Sequence, residues 1–335
     1  MPYEEEPAGA QARHRVAAPF YDELPRGAVF RSPGLTLTSG HAALHQAVVG
    51  DRLRLSLDGP LYEAVTGRPG LLAHPMLVCD VAIGQSTAPS ARVLGNLFYR
   101  GLGARPVPIG TTLRTTTEIV ARRAASRGRG IVVLRVTTVD AAGRPILDFW
   151  RAPLLPSAAD AAASDDADDL ARLGRPVDVA ALIPDDWNLD ALREDPLGTL
   201  FAALREGDTY DIEAAETVTA ATELARLSLN LAHTHTDASA GAHGDRLVYG
   251  GHVIGIAAAH VTRALPDLAT ILAWESCDHL GPTFEGDRLH SRIEITGLEA
   301  SGKDGIVRLR VRSSATGGDG AERDVLDWRP IVLVP

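Results

Sequence analysis

The chain has 335 residues, of which 45% are hydrophobic and 23% charged, a composition typical of a folded globular protein rather than a disordered or fibrous one. Its formal net charge of -10 argues against non-specific nucleic-acid binding, which needs a basic face to neutralise phosphates. The two cysteines, Cys79 and Cys277, are too few for a disulfide framework and indicate a reducing compartment.

The first ten residues are acidic, whereas a signal peptide begins with basic residues. No apolar run approaches the roughly 20 residues that a membrane-spanning helix needs. We therefore expect a cytoplasmic protein that binds neither nucleic acid nor a membrane. Residues 1–25 are expected to form a flexible N-terminal arm.

A repeat divides the chain into two similar halves. Four anchor positions recur without a gap at a constant separation of 176 residues: Phe98 with Trp274, Pro106 with Pro282, Gly110 with Gly286 and Leu113 with Leu289. Both halves also end on a similar apolar stretch. The repeat predicts two units, 26–156 and 200–335. An acidic linker and connecting segment, 157–199, joins them.

Each half contains a buried helix followed by strands. Residues 252–261 are apolar almost all round, as expected for a buried helix, and 75–85 are their counterpart. The alternation of apolar residues over 289–295 and 307–311 predicts strands with one buried face. A buried helix wrapped by an antiparallel sheet is the hotdog arrangement, so we predict an α+β double hotdog in which the two tandem units form a pseudo-dimer.

Polar and titratable residues concentrate in two segments of the second half. Asn230, His233, His235 and Asp237 lie at and just beyond the end of a predicted helix over 221–231. The second segment, Arg246-Leu-Val-Tyr-Gly-Gly-His252, runs into the start of the buried helix. These segments are the candidate site.

The spacing Asn230-x4-His235-x-Asp237, the segment 246–252 and the later Gly281-Pro-Thr-Phe-Glu-Gly-Asp287 together resemble the MaoC-like acyl-CoA hydratase/dehydratase family, and within it the mesaconyl-CoA hydratases. The resemblance covers most of the chain. It implies a double hotdog that adds or removes water across the 2,3 double bond of a short or branched enoyl-CoA. The substrate is then a CoA thioester, and no metal, nicotinamide or flavin cofactor is implied.

The family uses an Asp-x4-His pair, but Asn230 stands here where the aspartate is expected. An amide orients water by hydrogen bonds but cannot accept a proton, so the acid–base work falls on His235, with Asp237 beside it. On an ideal helix, residues five apart lie roughly 140° apart, so the helix must end between Asn230 and His235 for the two side chains to meet.

The remaining predicted site residues bind the substrate. Gly250 and Gly251 let the acyl group approach the helix N-terminus, where the amides of Gly251 or His252 are predicted to hold the developing enolate charge. We assign three further residues to substrate binding, with the two arginines meeting a phosphate or carboxylate: Tyr249, Arg246 and Arg100.

In the first half, Asp51 occupies the position of Asn230, but Ser56 stands where His235 would be. We therefore predict that the N-terminal unit is degenerate and helps to shape the substrate groove.

Three alternatives remain open from the residues. A hotdog thioesterase shares the fold and the CoA ligand, and Asn230 also leaves room for a non-catalytic acyl-CoA-binding protein. The pair His233-Thr-His235 would place two imidazoles on one side of a strand, as in a zinc site. The sequence also allows pairing of two chains into a homodimer.

Overall fold

The computed structural model describes residues 16–158, 164–240 and 244–335. In these ranges the strands form one twelve-stranded antiparallel sheet that carries the helices. The strands are β1 (Val29–Arg31), β2 (Leu35–Thr36), β3 (Gly95–Ala104), β4 (Thr112–Ala125), β5 (Arg129–Val139), β6 (Pro145–Pro156), β7 (Thr209–Asp211), β8 (Glu216–Thr217), β9 (Thr270–His279), β10 (Arg288–Ser301), β11 (Asp304–Thr316) and β12 (Glu322–Val334). The helices are α1 (Ser39–Val49), α2 (Arg54–Leu57), α3 (Gly59–Thr66), α4 (Pro75–Gln85), α5 (Asp190–Glu194), α6 (Ala221–Leu227) and α7 (Gly250–Ala264).

The strand order repeats the internal symmetry of the sequence. One half of the sheet runs β1-β4-β5-β6-β3, and the other runs β9-β12-β11-β10-β7. The halves join because β3 and β9 pair antiparallel, with Phe98 opposite Asp278 and Gly103 opposite Ala273. The short strands β2 and β8 pair with β4 and β10. This arrangement confirms the predicted double hotdog.

The two central helices lie against this sheet and against each other. All eleven residues of α4 are buried, as are residues 251–262 of α7. Helix α4 contacts β4, β5 and β9, while α7 contacts β10 and β12. A helix surrounded on all sides needs apolar residues all round, which is the pattern that predicted both helices. No helix in the described ranges is long and apolar enough to cross a membrane.

Two segments that the sequence indicated to be loose are packed in part. Tyr21 and Leu24, in the predicted arm, are buried, because their large side chains cover the sheet beside β5. The Tyr21 hydroxyl donates to Asp166, at 2.7 Å, in the acidic stretch that follows β6. Leu192, on α5 of the connecting segment, is also buried. Residues 1–15 of the arm and 159–163 of the linker lie outside the described residues.

Candidate active site between the two units

A cavity of about 180 Å³ lies where the two halves of the sheet meet, and both halves contribute to its walls. The first half supplies residues from the end of α4, from β3 and from β6. The second half supplies the loop after α6, the segment before α7, the first turn of α7, and the end of β9 with the turn that follows it. The polar residues on its walls are Thr87, Asn96, Tyr99, Arg151, Asn230, His235, Tyr249, His279 and Thr283.

The loop that carries the predicted catalytic pair is held by the opposite unit. Helix α6 ends at Leu227, four residues earlier than predicted, and Leu229 has a left-handed backbone with φ of 60°. The chain turns here because it is tied to the end of α4. The Leu231 N–H donates to Thr87 Oγ1 at 2.8 Å, and the His233 N–H donates to the Ala91 carbonyl at 2.9 Å. Asn230 therefore lies outside the helix.

Helix α4 and this loop approach each other closely because Gly84, on α4, has no side chain. A Cβ at Gly84 would overlap the carbonyl oxygen of Ser228, so the backbone of α4 is in direct contact with the backbone of the loop. Ser228 is itself buried, with its hydroxyl donating to the Ala225 carbonyl at 3.1 Å. The position of the catalytic loop is thus set by the N-terminal unit.

His235 is buried and held in one tautomer. Its Nδ1 lies 2.8 Å from the Leu247 carbonyl oxygen, and a carbonyl can only accept, so Nδ1 carries the proton. Nε2 therefore keeps its lone pair, and the hydrogen bond that holds the ring within the described parts of the chain is made by Nδ1 and leaves Nε2 open to the cavity. Burial lowers the pKa of His235 to about 4, the bond to Leu247 opposes this change, and the Arg151 charge adds to it. His235 is thus a neutral imidazole at pH 7 and can accept a proton.

The side chain of Asn230 is oriented by a hydrogen bond from the backbone two residues further along the chain. Its Oδ1 accepts a hydrogen bond from the Ala232 N–H at 2.9 Å, which closes a tight turn. The Nδ2 amino group makes no hydrogen bond to another described residue, and Asn230 lines the cavity. The amide can therefore donate to a ligand or a water but cannot take up its proton.

Helix α7 begins at Gly250 on the cavity wall. The first N–H groups of a helix have no acceptor within the helix and attract negative charge. The His252 N–H already donates to the Tyr249 carbonyl at 2.9 Å, and its side chain is fully buried. Within the described chain, the N–H groups of Gly250 and Gly251 remain without a partner at this end, and of the two only Gly250 lines the cavity.

Glycine is required at Gly250 for a steric reason. A Cβ there would lie 2.6 Å from Nε2 of His279, so a larger residue would displace that ring. The preceding Tyr249 lines the cavity, and its hydroxyl donates to the Asp80 carbonyl at 3.1 Å, which fixes the start of α7 to α4.

Of the residues predicted for the site, Gly251 and His252 are buried in α7 and do not line the cavity, and three more lie away from it. Asp237 is exposed, and its carboxylate accepts from both the N–H and the hydroxyl of Ser239. Arg246 pairs with Glu285 at 3.1 Å and Arg100 with Asp278 at 2.6 Å, each on a partly exposed surface. The cavity walls include none of these three side chains.

The His233-Thr-His235 segment forms a turn of 3-10 helix instead of a strand. Its two imidazoles are consequently in different environments, with His233 exposed and His235 buried. In the part of the chain that the structure describes, no group of three or more His, Cys, Asp or Glu residues is arranged to hold a metal ion.

The sequence did not point to two charged or titratable residues on the cavity wall, Arg151 and His279. Arg151 stands among apolar residues at the end of β6 and is buried there. An arginine surrounded by apolar residues in the sequence was therefore the signal that could have identified it. His279 ends β9 just before the Gly281–Asp287 motif. Part of its side chain is exposed, but Nε2 is enclosed without a partner in the described chain, and burial lowers the pKa of His279 to about 4.

The corresponding position in the first half is built differently. Asp51 Oδ1 accepts from the Leu53 N–H at 2.7 Å, the same local turn that Asn230 forms. However, Asp51 also lies 3.0 Å from Nε2 of His74, the residue that precedes α4. Helix α4 then begins with Pro75, which has no N–H, where α7 begins with Gly250.

No family model matches this chain. A solved structure of a conserved hypothetical protein from Mycobacterium tuberculosis, described as having a double hotdog fold, is 46% identical, covers 96% of this chain and 99% of its own, and has a TM-score of 0.88. The β-methylmalyl-CoA dehydratase of Chloroflexus aurantiacus is 29% identical over 321 residues, which are 89% of this chain and 88% of the relative. The mesaconyl-CoA hydratase of Cereibacter sphaeroides is 27% identical over 289 residues, 83% of this chain and 82% of the relative.

Proposed function

We propose that this double-hotdog chain is a MaoC-like hydro-lyase that reversibly adds water across the 2,3 double bond of a short or branched enoyl-CoA. One observation carries the proposal. A neutral imidazole with a free Nε2, an amide donor and Gly250, the first residue of α7, all line one cavity. The two curated relatives named above carry a hydratase or dehydratase name, which agrees with this chemistry.

The proposed reaction begins with the thioester carbonyl at the N-terminus of α7. The amino group of Asn230 donates to a water molecule, and the water oxygen bonds to C3 of the enoyl group while Nε2 of His235 takes one of its protons. The carbon–carbon double bond shifts toward the carbonyl, whose developing negative charge is stabilised by the N–H group of Gly250 at the start of α7. His235 then returns the proton to C2, so that one water has been added in total.

The low pKa of His235 has a consequence for each direction of proton transfer. Because it lies near 4, the imidazole is a weaker base than a free histidine, but its protonated form is a stronger acid toward C2. The reaction is a water addition with proton transfers, and we propose that it needs no metal or organic cofactor. Both cysteines are free and buried, in keeping with the proposed cytoplasmic location.

The N-terminal unit has a supporting role in this proposal. Ser56 cannot act as a base, Asp51 is paired with His74, and Pro75 removes the N–H that would correspond to Gly250. This unit instead holds the catalytic loop through Thr87 and supplies one wall of the cavity.

The test is turnover of a panel of saturated and unsaturated acyl-CoAs, with mass spectrometry and a thiol reagent as parallel readouts. We expect an enoyl-CoA to gain the mass of one water without release of free CoA thiol. Thiol release from saturated members would identify a thioesterase, and no change across the panel would indicate a non-catalytic acyl-CoA-binding protein. Either result would refute the proposed hydration.

A further inference from the structure

A second cavity, of about 220 Å³, lies within the N-terminal unit. Alanine, leucine and isoleucine residues supply its apolar wall. Its outer part includes the exposed residues Ala43, Gln46 and Leu57, so the cavity opens to the surface beside α1 and α2. The buried polar side chains on its wall are His45, Asp51 and His74.

The internal repeat relates this cavity to the candidate active site. Leu72 on its wall bridges to Pro108, as Leu247 on the wall of the other cavity bridges to Phe284. Among the described residues, none lines both cavities. Both units line the candidate active site, whereas the residues that line the second cavity all lie between 39 and 109, in the N-terminal unit. The second cavity is therefore a separate place for a ligand.

Asp51 is a buried carboxylate on the wall of the second cavity. It is 1% exposed, and no lysine or arginine of the described residues forms an ion pair with it. Burial by itself would raise the pKa of Asp51, but contact with His74 and a hydrogen bond from the Leu53 N–H hold that pKa below its usual value. The carboxylate is therefore ionised at pH 7. Its Oδ1 accepts the bond from Leu53 at 2.7 Å, whereas its Oδ2 makes no hydrogen bond within the described chain.

The two histidines on the wall do not cancel the charge of Asp51. Nδ1 of His74 accepts a hydrogen bond from the Met76 N–H at 3.0 Å, so the ring proton is on Nε2, which lies 3.0 Å from Asp51, and the imidazole is neutral. Burial lowers the pKa of His45, which is therefore also neutral at pH 7. The wall consequently carries a negative charge at Asp51.

We propose that the second cavity binds a primary ammonium ion attached to a short apolar group. The ammonium group has three protons, and it can donate to Oδ2 of Asp51 and to Oγ of Ser56, two buried oxygens of wall residues that lack a hydrogen-bond partner in the described chain. An apolar cavity of about 150 Å³ holds a benzene molecule, so this larger cavity has room for a hydrocarbon of about six carbons. The charge of Asp51 disfavours a carboxylate or phosphate ligand.

The test compares binding of benzylamine and benzyl alcohol to the full chain by isothermal titration calorimetry. The two probes are of nearly equal size, but benzylamine, like the lysine side chain, is protonated at pH 7. We expect the wild type to bind benzylamine roughly 10- to 100-fold more tightly, the range for one charge-assisted hydrogen bond. Asp51→Asn should reduce this ratio to near one. The variant should fold, because Asn230 forms the same local turn in the second half.

Two further variants locate the bound amine. Glu63→Gln removes an exposed carboxylate on α3, outside the cavity, and should leave the preference for benzylamine intact. Ala43→Leu places a larger side chain on the exposed part of the wall and should weaken binding of both probes, because it fills part of the cavity. Turnover of an enoyl-CoA should stay close to the wild-type rate in both variants, since neither residue lines the cavity that contains His235.

A wild-type ratio near one, or no binding of benzylamine, overturns the inference without any variant. A preference that survives Asp51→Asn or disappears in Glu63→Gln overturns it as well, because the charge that selects the amine would then lie elsewhere. Unchanged benzylamine affinity in Ala43→Leu would show that the amine binds outside this cavity, which also contradicts the inference.

Discussion

Replacing His235 by asparagine removes the proposed base while keeping its structural hydrogen bond. The asparagine amino group can take the place of Nδ1–H and donate to the Leu247 carbonyl, which the imidazole now does at 2.8 Å. Nothing replaces Nε2, the atom with the free lone pair. We expect turnover of the best enoyl-CoA to fall about 10² to 10⁴-fold, the range for a positioned general base, or about 3 to 5 kcal/mol in activation free energy.

Stability and a neighbouring variant make this result interpretable. Because the bond to Leu247 is retained, the melting temperature of His235→Asn should stay close to that of the wild type. His235→Ala should lose as much activity and also stability, since a buried carbonyl left without a donor costs about 1 to 3 kcal/mol. Asp237→Asn is the matched control, and its turnover should be unchanged because Asp237 is exposed and bonded to Ser239. A folded His235→Asn variant with the wild-type rate would refute the assignment of the base.

Further predictions concern the water, the first half and the pH dependence of folding. Asn230→Ala should lower kcat about 10- to 10²-fold because water is no longer positioned, and it should also lower the melting temperature because the Ala232 N–H loses its acceptor. Asn230→Asp keeps that acceptor and should retain activity, and wild-type turnover in folded Asn230→Ala would contradict this role. Asp51→Asn should leave most turnover intact in the same assay, and a loss equal to that of His235→Asn would mean that both units are catalytic. Burial lowers the pKa of His252 and of His260 from 6.5 to about 4, so the unfolded chain takes up protons at these residues before the folded chain does. In urea unfolding, the contribution of these two residues to the free energy of unfolding should be complete above pH 6.5 and should fall as the pH is lowered toward 4, by about 1.4 kcal/mol per pH unit for each residue. A free energy of unfolding that does not change over this range would contradict the burial of the two rings in neutral form.

The features that the sequence predicted well depend on local pattern or on the repeat. Helix α4 spans residues 75–85, as predicted, because a helix enclosed on every side must be apolar on every side. The double-hotdog arrangement followed from two similar halves, each with a buried helix and strands. Asn230, His235 and Gly250 line one cavity, as the spacing of the two polar segments suggested.

The features that were missed depend on contacts between distant parts of the chain. The sequence suggested a helix to residue 231, but bonds from the loop to Thr87 and Ala91 end it at Leu227. Asp237 is only two residues from His235, but the 3-10 turn directs the two side chains into different environments.

Arg151 could not be assigned to the cavity without the strand register. Irregularities in the pairing of β3 with β6 change which residues of these strands face the cavity. Alternation along one strand does not reveal such shifts.

The most direct test of the central claim is turnover of the best enoyl-CoA in water labelled with ¹⁸O. The account predicts one ¹⁸O atom in the hydroxyl group at C3 of the product, an intact thioester and labelling that is about 10² to 10⁴-fold slower in His235→Asn. Label in a free carboxylate, together with released CoA thiol, would contradict it.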